Sequence, residues 1–341
     1  MKVFNRIIYI LSFCFLFALL ISYLSPYANP KTFLLPIAFL GLFYPFLLFV
    51  NLLFLFYWIF KFKRHFWPTL IIIALGHNHI GAIVNLKDNS NEKHSIYSLT
   101  SFNVRLFNVY DWIKEEGIKE EIVSFINQSN SSIVCLQEFY APNILPSIKY
   151  PHSHIGLQKK RSHWRMATYS KYPIIKKGTV SISGENINNV CIYSDILLSE
   201  DTVRVYNIHL ASNTFENRDY QFIENPSVEG AENIFKRLKK SFITRTTEVN
   251  SIKKHLDQSP YPIIVCGDFN DTPLSYAYHQ LSQGLDDAFV KTGYGFGRTY
   301  NGKFPALRID YILMSPEFKI NNYKTLDVEL SDHFPISVSF D

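Results

Sequence analysis

Asn103, Glu138, Asp268, Asn270, Asp332 and His333 are the residues of this chain whose types could act together. They fall in four short runs at the ends of apolar stretches: S-F-N-V-R (101–105), L-Q-E (136–138), G-D-F-N (267–270) and S-D-H (331–333). Such a set of carboxylate, amide and imidazole groups suits a hard divalent cation and a phosphate. Mg²⁺ prefers oxygen ligands and needs only one or two protein carboxylates when a substrate phosphate helps complete its shell. One such run says little, and four in this order define a candidate site.

Glu138 closes an apolar strand, where a charge is costly unless paired or metal-bound. A surface Glu just past a strand end is the plainer alternative. Asp268 and Asn270 lie two apart, so on an extended chain they face the same way. There they could hold a water and a phosphate oxygen together, or merely cap a turn. Neighbouring side chains diverge on a strand, so His333 cannot pair with Asp332. Asp310, in R-I-D-Y-I-L (308–313), is the better partner, because an Asp accepting from one ring nitrogen fixes the tautomer and favours imidazolium. His209 ends Y-N-I-H-L (206–210). Alone it reads as a core histidine; beside the other runs it reads as an acid or a phosphate contact.

The elements that must position these residues are short and strand-rich. Strands are expected at 97–104, 132–137, 166–170, 189–198, 203–210, 262–266, 308–314 and 334–340, where Val, Ile, Tyr and Phe concentrate. Helical spacing of Ile118, Ile122, Phe125 and Ile126 predicts a helix over 112–127. The stripe Ala231, Ile234, Phe235, Leu238, Phe242, Val249, Ile252 and Leu256 predicts a longer one over 230–257. Its basic cluster Lys236, Arg237, Lys239 and Lys240 reads as a solvated face rather than a site for phosphate or anionic lipid. Many strands with two or three helices point to an α+β fold, two packed sheets covered by helices.

Residues 1–87 contain no Asp or Glu and carry seven of the 34 Lys and Arg, which leaves 27 basic against 29 acidic residues in the remainder. The basic balance therefore belongs to the N-terminal segment and is no nucleic-acid footprint. Ile7–Leu24 is apolar, and Phe33–Phe60 holds only Asn51 as a strongly polar residue. Each stretch approaches or exceeds the roughly 20 residues needed to cross a bilayer. A third stretch, from Phe66, is interrupted by His77, Asn78 and His79. Read to Val84 it spans; read to Gly76 it is short and re-entrant; spanning is the reading adopted. Lys2 and Arg6, with Lys61, Lys63 and Arg64, mark two cytoplasmic ends. These features predict a membrane anchor over 1–86, a polar linker over 87–96 and a domain over 97–341 outside the cytoplasm, in a bacterial inner membrane. The four cysteines show no metal spacing and read as buried or membrane thiols.

Residues 97–341 resemble the catalytic domain of the endonuclease/exonuclease/phosphatase superfamily. These metal-dependent phosphoesterases include deoxyribonucleases, abasic-site endonucleases, inositol-polyphosphate phosphatases and neutral sphingomyelinases. The runs that carry the resemblance stand in family order: S-F-N-V-R, C-L-Q-E, Y-S-K-Y-P-I (169–174), Y-N-I-H-L, V-C-G-D-F-N (265–270), R-I-D-Y-I-L and S-D-H-F-P (331–335). The whole chain resembles the family's membrane-anchored bacterial members. The resemblance implies a four-layer α/β/β/α sandwich of two mixed sheets. It implies Mg²⁺, replaceable by Mn²⁺, on Glu138 with support from Asn103, and Asp332 directed to metal or water. It further implies that Asp268 orients or deprotonates the attacking water and that Asn270 steadies the phosphate. His333 is paired with Asp310, and His209 protonates the leaving oxygen or binds phosphate. Some relatives place a second acid where this chain has Arg105, which is left to contact phosphate or neighbouring carboxylates and weakens an abasic-site reading.

The expected activity is hydrolysis of a phosphodiester or phosphomonoester by in-line water attack. The substrate is nucleic acid, as for an endonuclease or exonuclease, or alternatively a lipid headgroup; an inactive membrane-tethered binding module is a further alternative. The expected partners are the bilayer and a phosphate-ester substrate, with no protein partner. Trp164 and Arg165 are candidates to line the cleft, and the insertion 213–227 is expected to read the substrate, because loops over a rigid scaffold usually do.

Overall fold

The computed structural model describes the chain except for residues 1, 88–94, 141–145, 157–163, 184–189, 214–224, 226 and 303–306. Most of the expected linker and of the substrate-reading insertion lie outside the described residues, as does the side chain of Trp164.

Helix α1 (Lys2–Ser22) is followed by α2 (Leu35–Leu42), α3 (Tyr44–Phe60), α4 (Phe66–Leu75) and α5 (His77–Gly81). Phe4–Ser22 is long and apolar enough to cross a membrane, and only 17% of its most apolar window is buried. A soluble core helix would bury most of that surface. The apolar stretch 33–60 is not one straight helix: α2 and α3 meet at 67°. Pro45, in the first turn of α3, explains the bend, since its ring lacks an N–H and would collide with the carbonyl four residues earlier. The third stretch is likewise divided, at Gly76 rather than continuous to Val84. A Cβ there would lie 2.3 Å from the Tyr23 hydroxyl, which donates to the Ile72 carbonyl. Asn51, fully buried, donates to the carbonyls of Phe15 and Leu47 and so ties α1 to α3.

The remainder builds two six-stranded mixed sheets. In chain order the strands are β1 (Tyr97–Asn103), β2 (Ile133–Tyr140), β3 (His152–Gly156), β4 (Trp164–Ser170), β5 (Ile174–Thr179), β6 (Cys191–Leu198), β7 (Asp201–His209), β8 (Ile263–Asp268), β9 (Asp286–Asp287), β10 (Asp310–Met314), β11 (Ile320–Thr325) and β12 (Ile336–Phe340). One sheet runs β11-β12-β1-β2-β4-β3 and the other β9-β10-β8-β7-β6-β5. Each has one central parallel pair: β1 with β2, joined through α6 (Ile118–Gln128), and β7 with β8, joined through α7 (Val228–Leu256). A parallel pair requires such a crossover and ends both strands at the same edge. That edge places Asn103 beside Gln137 and His209 beside Asp268.

Alternation along the strands sorts side chains into layers. Cys135, Val205, Cys266 and Ile312 meet between the sheets. Val134 and Leu136 face Ile118, Ile122 and Ile126 of α6, while Tyr206, Ile208 and Val265 face Val249, Ile252 and Leu256 of α7. The expected α/β/β/α arrangement is therefore present, and all eight expected strands form. Helix α6 starts at Ile118 rather than at 112, because Gly117 adopts a left-handed conformation (φ 83°) ahead of it. Two short helices, α8 (Tyr276–Ser282) and α9 (Ala288–Thr292), and the strands β3, β5 and β11 lie outside the patterns read from the sequence.

The N-terminal helices pack onto the sandwich. Phe39 of α2 stacks on Phe235 and Phe242 of α7 at 4.9 and 5.1 Å. Leu274, in the loop after β8, is buried with Leu19 of α1 and with Tyr44 and Leu47 of α3. Val84–Asn85 pairs with Gly295–Phe296 where the chain leaves α5.

Candidate active site

The site forms where the parallel pairs of both sheets end, and several of its residues sit in unusual backbone. Gly267, with φ 133°, is required because a Cβ would lie 2.0 Å from the Ile208 carbonyl oxygen of the adjacent strand. Glu138 has φ 49°, at an irregularity in the β2–β4 pairing, and such bulges re-aim side chains. Arg105 through Asn108 and Asn270 also have positive φ. Strain of this kind is held in place only where the surrounding structure over-determines it, commonly at functional sites.

His333 lies at the centre, with 5% of its surface exposed. Its Nδ1 faces both carboxylate oxygens of Asp310 at 3.0 and 3.1 Å, and its Nε2 is 3.7 Å from Asp268 Oδ2. Burial alone would discharge the ring, but the carboxylates of Asp310 and then Asp268 outweigh it and hold its pKa well above the ordinary histidine value. His333 is thus an imidazolium clasped between two acids. Burial pushes the Asp268 carboxyl upward, an effect opposed by His333 and reinforced by the Asp310 charge. Asp310 is held by its own N–H and that of Ile309, both donating to Thr299 Oγ1 at 3.0 Å.

Around this pair stand the other expected residues. Asn103 Nδ2 donates to Asp268 Oδ2 at 3.1 Å, while its Oδ1 accepts from the Arg105 N–H. Arg105 Nε lies 3.2 Å from Asp332 Oδ2, so Asp332 turns its carboxylate to Arg105. The guanidinium also stacks on Trp112 at 4.3 Å. His209 Nε2 is buried without a hydrogen bond, 3.5 Å from Glu138 Oε1 and 3.6 Å from Asp268 Oδ2.

Asp268 and Asn270 do converge, but through a turn and not along an extended strand. The Asn270 N–H donates to Asp268 Oδ1 at 2.8 Å, and its Nδ2 donates to Asp268 Oδ2 and the Leu210 carbonyl. The turn-capping reading of G-D-F-N is realised in this geometry. The amide hydrogens of Asn270 are spent on Asp268 and Leu210, so in this state the side chain positions Asp268.

Among the described residues, Asp268, Asp310 and His333 are the group whose potential ligand atoms lie closest, within 4.8 Å. Within this trio the His333 ring is engaged by Asp310 through Nδ1, with Nε2 facing Asp268. Glu138 suits a hard cation: its carboxylate is partly exposed, and the orphaned Nε2 of His209 lies 3.5 Å from its Oε1. An oxygen ligand at the mouth of a site, with room for water and phosphate, is what Mg²⁺ takes.

Three functional elements escaped the sequence reading. Gln137 and Asn207, both fully buried, join the two sheets beneath the site: Gln137 Nε2 donates to Asn207 Oδ1 at 2.7 Å, and Asn207 Nδ2 donates to the carbonyls of Leu136 and Ala167. Their signal was available, since both are polar residues in phase with the inward Cys135 and Val205. The third is Arg245, 1% exposed, whose Nε donates to Asp271 Oδ2 at 3.0 Å and whose Nη1 donates to the Ala211 carbonyl and Asn213 Oδ1. It ties the segments that follow His209 and Asn270. A charge on the buried stripe of α7 was its only trace in the sequence. Arg165 brings a buried, unpartnered Nε to the rim side of β4.

Residues 240–333 match the family model described as Endonuclease/Exonuclease/phosphatase family, and residues 5–83 match one described as a domain of unknown function. The first match contains Asp268, Asn270, Asp310, Asp332 and His333. Among solved structures, a functionally unknown conserved protein from Enterococcus faecalis V583 is 18% identical, with a TM-score of 0.56 over 72% of this chain and 99% of its own. The 3'-5' exonuclease from Neisseria meningitidis is 17% identical, with a TM-score of 0.52 over 72% and 99%. A mannosyl-6-phosphatase from Bacteroides thetaiotaomicron is 19% identical, with a TM-score of 0.52 over 72% and 99%. No curated protein matches the chain. At these identities the likeness shows a shared fold.

Proposed function

We propose that the chain is a membrane-anchored, metal-dependent phosphoesterase that hydrolyses phosphate esters by in-line attack of water. The observation that carries this reading is His333 clasped between Asp310 and Asp268, with His209 reaching from Asp268 to Glu138. The family match over residues 240–333 supports the reaction class.

Glu138 would hold the divalent cation, with Asn103 Oδ1 and Asp332 within its surroundings. Such an ion neutralises a phosphate oxygen and stabilises the charge that builds on it. Asp268 accepts the proton of the attacking water. Its two oxygens are fixed by Asn103 and Asn270, so it meets the water in one orientation. His333, kept charged by Asp310, donates to the phosphoryl oxygens. His209 faces the leaving side and protonates the departing oxygen, while Arg105, braced by Trp112, contacts the phosphate. Positioning and electrostatics carry such a reaction, with little covalent chemistry for the protein.

The anchor supports a definite orientation. His65 packs on Tyr9 and Trp58 at 4.7 and 5.0 Å, at the end of the bundle where the basic residues lie. At the other end His79 packs on Tyr23 and Tyr44 at 5.1 and 6.0 Å. Residues 66–83 therefore run the full depth of the bundle despite the break at Gly76. The catalytic domain docks at the end opposite Arg6, Lys61, Lys63 and Arg64, outside the cytoplasm by the positive-inside rule.

The full-length protein in detergent is expected to hydrolyse bis(p-nitrophenyl) phosphate with Mg²⁺, to stop when EDTA is added, and to recover with Mg²⁺ or Mn²⁺. Turnover unaffected by chelation would refute the metal assignment. Absence of turnover on all phosphate esters would favour an inactive binding module.

A further inference from the structure

The catalytic loop does not hang free above the membrane helices; it is wedged into them. Leu274 follows Asn270 by four residues and is buried against Leu19, Tyr44 and Leu47. Four residues span at most about 14 Å even when fully extended. Leu19 lies three residues inside the end of Phe4–Ser22, or about 4.5 Å along the helix axis. The hydrocarbon core is about 30 Å thick within a bilayer of about 40–45 Å, so the headgroup layer on each face is some 5–8 Å deep. The hydrolytic centre is thereby held within one short loop of the layer in which lipid phosphates lie.

Three independent features agree with that placement. Helix α7, whose Phe235 and Phe242 stack on Phe39 of the anchor, exposes Lys239 and Lys240 beside that contact. Basic residues next to a membrane helix attract anionic headgroups. At the rim, Trp112 and Tyr110 are exposed and packed edge to face at 5.1 Å, with Trp112 covering Arg105. Tyr and Trp favour the membrane–water interface. Finally, residues 88–341 carry 27 basic against 29 acidic residues, without the excess that non-specific nucleic-acid binding needs.

We propose that the substrate is a phosphate ester borne on the headgroup of a lipid in the same membrane, reached laterally instead of from solution. This rests on the phosphoesterase reading above and adds the substrate class to it. The seat fixes the distance between the centre and the bilayer, so the active site stays with the headgroup layer. The bond broken is the headgroup P–O bond; water supplies the new oxygen, Asp268 takes its proton, and the leaving oxygen receives one from His209.

The test uses full-length protein in nanodiscs with Mg²⁺ and three probes: phosphatidic acid and phosphatidylglycerol in the disc, a DNA oligonucleotide in solution, and soluble bis(p-nitrophenyl) phosphate. Release of phosphate or phosphomonoester is followed by ³¹P NMR. At least one disc lipid should be turned over at least about 10-fold faster than the oligonucleotide, because confinement to one membrane raises effective concentration to the millimolar range. Phe39→Asp, which unseats α7 without touching the catalytic residues, should lose that lipid turnover and keep hydrolysis of the soluble diester. Phe235→Glu breaks the same contact from the other side and serves if Phe39→Asp does not fold. Faster hydrolysis of the oligonucleotide than of either lipid overturns the substrate class and leaves the phosphoesterase reading standing, as does unchanged lipid turnover in a correctly folded seat variant. Failure on all three probes overturns the phosphoesterase reading itself.

Discussion

At the residue scale, the site sets His333 and His209 among the carboxylates of Glu138, Asp268 and Asp310, and environment separates the two rings. His209 ends β7 and His333 stands three residues ahead of β12; His333 is nearly enclosed by two carboxylates, while His209 keeps one buried nitrogen without a hydrogen bond. Asp310→Asn preserves shape and removes the charge that keeps His333 protonated. We expect kcat on a soluble diester to fall about 10²-fold, with the alkaline limb of the pH–rate profile moving to lower pH. The sign follows from the folded-state pKa of His333 lying above its ordinary value of about 6.5. The stability this pairing supplies is complete below that value and is lost as pH rises through the folded pKa. The variant's deficit in thermal midpoint should accordingly be largest near pH 6 and shrink at alkaline pH. An unshifted profile would show that Asp310 does not govern His333.

At the element scale, the two parallel strand pairs do the positioning, and the sequence reported them unevenly. The eight expected strands were legible as short runs rich in Val, Ile, Tyr and Phe, buried on both faces at β8 and β10, and both long helices as apolar stripes at helical spacing. The Glu138, Asp268, Asn270, Asp310 and His333 runs were legible for the opposite reason, as polar residues where an apolar strand stops. Strand β5 was not: Lys176 and Lys177 are exposed and the strand lies at a sheet edge, so no buried face marks it. Helices α8 and α9 are too short to show a period. The turn at Asn270 was also hidden, since alternation describes extended chain and says nothing of a residue at φ 53°. Gln137 and Asn207 give this scale its prediction. Gln137→Leu alone leaves the Asn207 carbonyl oxygen buried without its donor and should cost about 1–3 kcal/mol in chemical denaturation, whereas the double change with Asn207→Leu should cost less than the sum of the two single changes. Strict additivity would mean the two side chains are not coupled.

At the scale of the whole molecule, the N-terminal helical segment is packed against the sandwich and is not a detached leader. Its turn meets α7, its helices enclose Leu274, and its exit strand pairs with Gly295–Phe296. Composition set this segment apart through an 87-residue stretch without an acid, but no sequence pattern could announce that Leu274 packs into it. The orientation proposed above is tested by cysteine labelling. Glu200→Cys, on the exposed β6–β7 turn, should react in intact cells with a membrane-impermeant maleimide, and Lys63→Cys should react only after permeabilisation. The reverse pattern would place the domain in the cytoplasm.

The most direct measurement is turnover of bis(p-nitrophenyl) phosphate by Glu138→Gln at saturating Mg²⁺, with folding checked by thermal midpoint. Loss of the Glu138 carboxylate proposed to hold the cation should reduce kcat by at least about 10²-fold with the midpoint preserved. A folded Glu138→Gln protein with kcat near that of the wild type would contradict the account.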